Sequence, residues 1–296
     1  MNSRLRGNLL LLLTALIWGS AFVAQSVGAG YVGPFTFNCA RSVLGGLVLL
    51  PVILVLDKMG ITHKPQTKAE KKTLLLGGIC CGTALAVASA FQQLGVARTT
   101  VGKAGFITAL YILIVPLLGW LFLKKKVGKL VWIGVGLALV GMYLLCMTEG
   151  FSISFGDLLV LVCAFCFSIH ILVIDYFSPK TDGVRLSCIQ FFTAAVVSGI
   201  LMLLFEQPDL SAIMSAALPI AYAGVMSSGV AYTLQVVAQR DTDPTVASML
   251  MSLESVFALL AGWVLLNQAL SAKELCGAVL VFCAIILAQL PEKKKA

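Results

Sequence analysis

Two stretches of the sequence that lie 143 positions apart decide the fold. Residues 107–141 read ITALYILIVPLLGWLFLKKKVGKLVWIGVGLALVG, and residues 250–284 read LMSLESVFALLAGWVLLNQALSAKELCGAVLVFCA. The residues that coincide at this constant offset include Gly119 with Gly262, Trp120 with Trp263, Leu123 with Leu266 and Gly134 with Gly277. The chain therefore contains a long segment twice.

A second match extends the repeat towards the beginning of each copy. Residues 7–18, GNLLLLLTALIW, fall on residues 156–167, GDLLVLVCAFCF, at an offset of 149. Both ends of a common unit are thus present in each half of the chain. We predict two copies of one unit, the first over residues 1–150 and the second over residues 151–296.

The composition identifies the medium in which these copies fold. Of 296 residues, 59% are apolar and only 11% are charged, and the mean hydropathy is +1.00, whereas about 25% of a soluble domain is charged. The apolar runs fall at residues 7–27, 36–56, 73–96, 101–123, 128–147, 155–177, 184–205, 212–237, 244–267 and 272–290. Each run is near the roughly 20 residues that a helix needs to cross a bilayer. We predict an all-α integral membrane protein with ten transmembrane helices.

The distribution of basic residues sets the predicted orientation. With a cytoplasmic N-terminus, one side of the membrane receives 17 of the 21 lysines and arginines, whereas Arg98 and Lys273 fall on the other side. This bias places both termini in the cytoplasm, in a multi-pass protein of the cell (inner) membrane. The basic residues flank helix ends, so we expect them to contact lipid head groups and not nucleic acid.

Five spans per copy make the repeat an inverted one, because an odd number brings the second copy into the membrane from the opposite side. The connector KKKVGK after the fourth span has the counterpart NQALSAKE, which keeps a single lysine, Lys273. Inverted repeats are typical of transporters that hold a substrate near the midplane and expose it to each side in turn. We therefore predict ten helices arranged as two inverted five-helix repeats.

Three segments resemble a known family. LLLTALIWGSAFV near the N-terminus, TTVGKAGFITALYILIVPLLGWLFLKK, and AYTLQVVAQRDTDPTVASMLMSLESVFALLAGWVLLNQALS are similar to the EamA family of the drug/metabolite transporter superfamily. The resemblance covers essentially the entire chain. It implies a central cavity lined by spans 1, 3, 4, 6, 8 and 9, with spans 5 and 10 at the periphery. It also implies export or exchange of amino acids, other metabolites or drugs.

Glu254 is the most informative polar residue within the spans. It lies about ten residues into the ninth span, roughly 15 Å at 1.5 Å per residue, and so near the midplane. Its helical stripe holds the small or flexible residues Ala247, Met251, Ala258 and Ala261. An ionisable group there indicates a functional site, where it exchanges a proton or holds a cationic substrate group. The alternative is a structural carboxyl bonded to a neighbouring Ser, Tyr or His. The repeat aligns Glu254 with Tyr111.

A second set of polar residues lies towards the outer ends of spans 2, 3 and 4, namely Arg41, Gln92, Gln93 and Lys103. Their approximate counterparts in the other copy, Gln190, Gln235 and Val246, carry no charge. We expect a positive outer mouth that suits the carboxylate or phosphate end of an anionic or zwitterionic molecule. The alternative is snorkelling, in which the long basic side chains reach water at the interface.

His170 and Trp18 complete the candidate site, together with Gln235 from the eighth span. His170 shares a helical face with Cys163 and Cys166, but two cysteines and one histidine are weak evidence for a metal, so we predict neither a metal nor a cofactor. The alternative for His170 is a packing role, and aromatic packing explains Trp18 equally well. The nine cysteines all fall within spans, where we expect them to act as small packing residues.

These features predict a secondary active transporter that exports or exchanges small metabolites such as amino acids, with proton coupling as one option. The sequence lacks the phosphate-binding motif Gly-x4-Gly-Lys-Ser/Thr, which leaves an ion or exchange gradient as the energy source. Efflux of drugs or other small molecules and a passive channel are the alternatives. We expect no enzyme, because neither His-Glu-x-x-His nor Gly-x-Ser-x-Gly is present. The oligomeric state is left open.

Overall fold

The computed structural model describes residues 3–99, 101–124, 127–146, 154–266 and 271–289. Within these ranges the chain is helical and contains no strand. The helices are α1 Ser3–Ala29, α2 Pro34–Lys58, α3 Lys68–Val96, α4 Val101–Thr108, α5 Tyr111–Leu123, α6 Lys129–Cys146, α7 Phe155–Phe177, α8 Gly183–Phe205, α9 Leu210–Ser215, α10 Ala217–Ala221, α11 Thr233–Gln239, α12 Pro244–Met251, α13 Glu254–Leu266 and α14 Ala272–Gln289. A π-helix, Tyr222–Tyr232, joins α10 to α11. The prediction of an all-helical chain is confirmed for the described residues.

Among the described residues, eight helical stretches are long and apolar enough to cross a membrane. They are Leu5–Ala29, Pro34–Lys58, Lys68–Val96, Val101–Phe122, Phe155–Lys180, Gly183–Phe205, Ala217–Gln239 and Pro244–Leu265. The other two predicted spans correspond to α6 and α14, each 18 residues long. Their described apolar stretches, Lys129–Gly141 and Leu275–Leu287, are shorter than the other eight.

The packing separates an inner group of helices from one outlying pair. In the inner group α2 packs along α8, α3 packs along α7 and α8, and α1 packs along α13 and the π-helix. The helices α6 and α14 pack chiefly on each other. They meet closely at Gly141, where a side-chain carbon would lie 2.7 Å from the carbonyl oxygen of Gly277. Small residues at such crossings allow two membrane helices to approach each other.

Carboxylates tie α2 to α8 at both ends of this pair. At one end Arg185 Nη2 donates to both oxygens of Asp57, at 2.8 and 2.7 Å. At the other end Glu206 accepts from the backbone nitrogens of Phe35 and Thr36, at 2.9 and 2.8 Å, and from the Thr36 hydroxyl. Glu206 thereby satisfies amide groups in the first turn of α2, which have no partner within the helix.

Candidate functional site

Two helix breaks contribute residues to the candidate site. The sequence predicted single continuous helices over residues 101–123 and 244–267, but the structure divides each of them into two, α4 and α5, and α12 and α13. At both breaks the regular hydrogen bonds to the fourth preceding residue give way to bonds to the third, such as Leu110 N to Ile107 O and Leu253 N to Leu250 O. Glu254 is therefore the first residue of α13, and not part of a helix interior.

The hydroxyl groups of three serines favour the second break. Ser248, Ser252 and Ser255 each donate to the carbonyl oxygen three residues earlier, at 2.7–2.8 Å. Serine hydroxyls that bond to the backbone in this way compete with the helix ladder and bend helices. The continuous hydropathy of residues 244–267 gave no indication of this local competition.

A small cavity lies where the breaks meet α1, α2, α3, α7 and the π-helix. Measured by where the centre of a water molecule fits, its volume is about 30 Å³, which is room for two or three waters at roughly 10–15 Å³ each. Its walls are formed by Trp18, Phe22, Gln25, Arg41, Gln92, Thr108, Tyr111, Phe167, His170, Ile171, Ser227, Tyr232, Gln235 and Glu254. The structure thus brings seven of the nine predicted site residues to one cavity, and this cavity has room for only a few water molecules.

Glu254 is bound to the residue with which the sequence repeat aligned it. The Tyr111 hydroxyl donates to Glu254 Oε1 at 2.9 Å. Tyr111 is 2% exposed and Glu254 is 3% exposed. Tyr111 begins α5 as Glu254 begins α13. The carboxyl group is therefore buried at the protein centre and held by one neutral donor.

Arg41 is a buried cation without a carboxylate partner in the described part of the chain. It is 3% exposed, its Nη2 donates to Ser89 Oγ at 3.2 Å, and its Nε has no partner there. The Tyr232 hydroxyl lies close enough to the guanidinium to interact with it electrostatically. A guanidinium with donors to spare in a membrane interior is suited to bind an anion.

The remaining predicted residues in the cavity are neutral. His170 Nε2 bonds to Gln190 Oε1 at 2.9 Å, while its Nδ1 has no hydrogen-bond partner among the described residues. Trp18 packs on Tyr232 with ring centroids 4.5 Å apart. Gln92 approaches the Thr108 hydroxyl at 3.5 Å, and Gln235 Oε1 makes no hydrogen bond within the described ranges. Unpartnered buried polar atoms of this kind are sites for water or for a ligand.

Two predicted residues lie outside the cavity walls. Gln93 is completely buried, and its Nε2 donates to the backbone oxygen of Gln25 at 3.0 Å. Lys103 is close enough to Asp157 to interact with it electrostatically. Gln93 therefore contacts a protein group behind the cavity walls, and Lys103 lies outside them.

Sequence reasoning missed Tyr232, Gln25, Thr108 and Ser227 among the polar wall residues, and Phe22, Phe167 and Ile171 among the apolar ones. Gln25 and Tyr232 could have been found as polar groups in apolar spans, whereas the phenylalanines carry no sequence signal that separates them from packing residues. Within the described ranges, no group of three His, Cys, Asp or Glu side chains is arranged to hold a metal ion. The cavity therefore combines one guanidinium, one carboxyl group, amide side chains and aromatic rings.

Comparison with known proteins places this geometry among transporters. The sequence profile of the EamA-like transporter family matches residues 5–147 and 154–290. A protein described as an uncharacterized transporter from Archaeoglobus fulgidus is 31% identical over 97% of this chain and 87% of its own length. The uncharacterized transporter YoaV of Bacillus subtilis is 23% identical over 92% of both chains. A solved crystal structure with 18% identity superposes with a TM-score of 0.77 over 96% of both chains, which shows a shared fold.

Tyr111→Phe removes only the hydroxyl that bonds to Glu254. We expect a lower melting temperature of the purified protein, because a buried carboxyl group that loses its donor costs about 1–3 kcal/mol. Tyr31→Phe removes a hydroxyl from a tyrosine that is 52% exposed, and it should leave the melting temperature unchanged. Equal effects of the two substitutions would contradict the view that Tyr111 holds Glu254.

Proposed function

Because the chain belongs to the EamA-like transporter family and is a multi-pass membrane protein, we propose that it carries small zwitterionic metabolites, such as amino acids, across the cytoplasmic membrane by alternating access. The observation that carries this proposal is the presence of Arg41 and Glu254 in one closed cavity, each buried and not paired with the other. An exporter or exchanger powered by an ion or solute gradient fits a chain that has no nucleotide-binding motif.

The charges of the cavity indicate the class of substrate. Arg41 offers a planar set of donors to a carboxylate, and Glu254 offers an acceptor to an ammonium group. Leaving either charge alone in a membrane interior is expensive, and a ligand that carries both opposite charges compensates both at once. The aromatic rings of Trp18, Phe167 and Tyr232 supply an apolar wall for the rest of such a molecule.

The proposed mechanism requires ten transmembrane helices in two inverted copies, and the helix breaks support this arrangement. Four backbone hydrogen bonds at the first break recur at the second break, 143 positions later. At the first break they are Ala109 N to Gly105 O, Leu110 N to Ile107 O, Ile112 N to Ala109 O and Ile114 N to Leu110 O. At the second break they are, in the same order, Ser252 N to Ser248 O, Leu253 N to Leu250 O, Ser255 N to Ser252 O and Phe257 N to Leu253 O. An irregular bonding pattern shared at the same offset supports a structural relation between the two copies as well as a sequence relation.

The contact between Tyr111 and Glu254 locates the proposed symmetry axis. The two residues are separated by the repeat offset of 143 positions and touch each other. Equivalent residues of two copies related by a half-turn come into contact only close to the axis. The hydrogen bonds that link α2 to α8 at both ends follow the offset of 149 found near the start of each copy. The two carboxylates, Asp57 and Glu206, lie 149 positions apart, and so do their partners Thr36 and Arg185.

One end of the molecule is closed by a direct contact between the copies. The Thr99 hydroxyl donates to Asp157 Oδ1, and Gly156 packs against the Arg98 backbone without room for a side chain. At the opposite end the counterpart of Thr99 is Thr242, whose Oγ1 has no hydrogen-bond partner among the described residues and packs against Gly7, the counterpart of Gly156. A recess of about 360 Å³ lies at this end, beside Gly7 and Asp241. We interpret the first end as the outer side and the end with the recess as the inner side.

A second candidate function, efflux of lipophilic cations, is favoured by one observation. Glu254 shares the cavity with Trp18 and Tyr232, and aromatic faces beside a carboxylate bind cations. The Arg41 guanidinium in the same cavity opposes this function, because it would repel a cation that brings no negative group. The zwitterion is therefore the proposed substrate.

Glu254→Gln tests whether this carboxyl group couples transport to protons. Gln keeps the size of the side chain and can still accept the Tyr111 hydrogen bond, but it cannot ionise. In proteoliposomes that are offered a panel of labelled amino acids, we expect the wild-type protein to accumulate at least one of them under a pH gradient and to exchange it without one. The variant should keep the exchange and lose the accumulation. Asp209→Asn, which changes an N-cap carboxylate outside the cavity, should keep both.

The melting temperature, measured on the same preparations, separates coupling from structure. A Glu254→Gln variant that melts earlier and keeps its pH dependence would assign a structural role to the carboxyl group. A variant with normal stability and unchanged gradient-driven accumulation would exclude both roles.

The charge bias of the connectors predicts where the C-terminus lies. We expect a reporter fused after Ala296 to be active only if it is a reporter that functions in the cytoplasm, because 17 of the 21 lysines and arginines flank that side. An active periplasmic reporter at the same position would reverse the inner and outer labels of the closed end and the recess.

A further inference from the structure

The π-helix Tyr222–Tyr232 distinguishes the eighth predicted span from its counterpart in the first copy. It is 11 residues long, whereas α3 is a regular α-helix over 29 residues. Segments with π-helical bonding are rare, usually single-turn bulges, and occur often at functional sites. A π-helix of 11 residues in one copy only therefore requires an explanation.

The contacts before the π-helix fix one register between the copies. Gly82 packs closely against the backbone oxygen of Gln190 and against Thr193, with no room for a side chain. Gly224 packs in the same way against the backbone oxygen of Arg41 and against Leu44. The partners differ by 149 positions in each case, so Gly82 and Gly224 are equivalent, 142 positions apart. Two hydrophobic clusters follow the same register, with Leu74 and Cys81 in one cluster and Ala216 and Ala223 in the other.

The elements after the π-helix follow a different register. The helix α3 ends at Val96 and α4 begins at Val101, while α11 ends at Gln239 and α12 begins at Pro244, and both pairs of boundaries lie 143 positions apart. The second copy therefore has one residue more than the first between Gly224 and Gln239. The π-helix lies in this interval, and its wider turns absorb the extra residue while both flanking parts keep their contacts.

The extra residue changes what this wall presents to the cavity. The helix α3 contributes Gln92 to the walls, whereas the corresponding span contributes Ser227, Tyr232 and Gln235. Tyr232 is the last residue of the π-helix and is 4% exposed. At the offset of 143 that relates the elements after the π-helix to those of the first copy, the counterpart of Tyr232 is Ser89.

Arg41 lies between these two counterparts. Its Nη2 donates to the Ser89 hydroxyl at 3.2 Å. Tyr232 lines the same cavity as Arg41, and its hydroxyl lies close enough to the guanidinium to interact with it electrostatically. The Tyr232 ring is fixed by Trp18, by His170 with centroids 6.0 Å apart and by Phe191 at 5.7 Å. This set of rings leaves the phenol little freedom to turn away from Arg41.

We propose that Tyr232 is a positioning residue, placed by the one-residue insertion of the π-helix, that orients the Arg41 guanidinium towards the anionic end of the substrate. This inference rests on the proposed transport function. A phenol oxygen that accepts from Arg41 keeps its own O–H, which is free to donate to the same carboxylate. The Ser89 and Tyr232 hydroxyls are thus the two neighbours that set the orientation of the guanidinium in the cavity.

Tyr232→Phe keeps the ring contacts and removes only the hydroxyl. In the exchange assay with the labelled amino acid that the wild-type protein transports best, we expect KM to rise about tenfold, the effect of one lost hydrogen bond to a charged group, with an unchanged maximal rate. The melting temperature without substrate should stay within one degree or so, a shift smaller than the loss of a structural contact produces. Tyr222 lies on the same π-helix, and its hydroxyl is hydrogen-bonded to Ser20 of α1 at 2.6 Å. Tyr222→Phe removes this hydroxyl and should leave KM unchanged.

A double-mutant cycle separates positioning from independent binding. Arg41→Lys keeps the charge without the planar set of donors, so Tyr232→Phe should raise KM much less in that background than in the wild-type protein. Equal effects in both backgrounds, or a lower melting temperature of Tyr232→Phe with an unchanged KM, would overturn the inference. Absence of exchange of every amino acid by the wild-type protein would overturn the proposed function and this inference with it. Exchange with an unchanged KM in Tyr232→Phe would overturn the inference alone.

Discussion

The burial of Arg41 and Glu254 in one cavity without an ion pair between them is the constraint on which the rest of the structure depends. A charged group inside a membrane protein is costly unless protein groups or a ligand compensate it. Here the neighbours in the described part of the chain are neutral, the Tyr111 hydroxyl for Glu254 and the Ser89 and Tyr232 hydroxyls for Arg41. Both groups are buried, and burial strengthens electrostatic interactions.

The scaffold that holds these two groups repeats itself, while the site does not. Carboxylates tie α2 to α8 at both ends, and both broken helices have the same bonding pattern. Yet Tyr111 stands where the other copy has Glu254, and the π-helix brings Tyr232 into one wall only. We propose that this repeated scaffold exchanges between two equivalent conformations, and that the asymmetric site recognises a molecule with two different ends.

Hydropathy and the repeat predicted the helices and most of the site, since both depend on residue types that recur over long segments. Arg41, Glu254 and His170 could be singled out because polar groups are rare in apolar spans, and the structure places all three at the cavity. The helix breaks could not be predicted, because they depend on local backbone hydrogen bonding, to which three serine hydroxyls contribute at the second break. Tyr232 could have been found as a polar group in an apolar span, but its place beside Arg41 depends on a single extra residue inside a helix, which no hydropathy window resolves.

The most direct measurement of the central claim is the melting temperature of the purified protein with three matched ligands. They are an amino acid that the protein exchanges, its methyl ester, which lacks the carboxylate, and its N-acetyl form, which lacks the ammonium group. A ligand that binds only the folded state at 100 times its Kd adds about 2.7 kcal/mol of stability. The account predicts that only the intact zwitterion raises the melting temperature, because it alone compensates both Arg41 and Glu254. An equal rise with the ester or with the N-acetyl compound would contradict it.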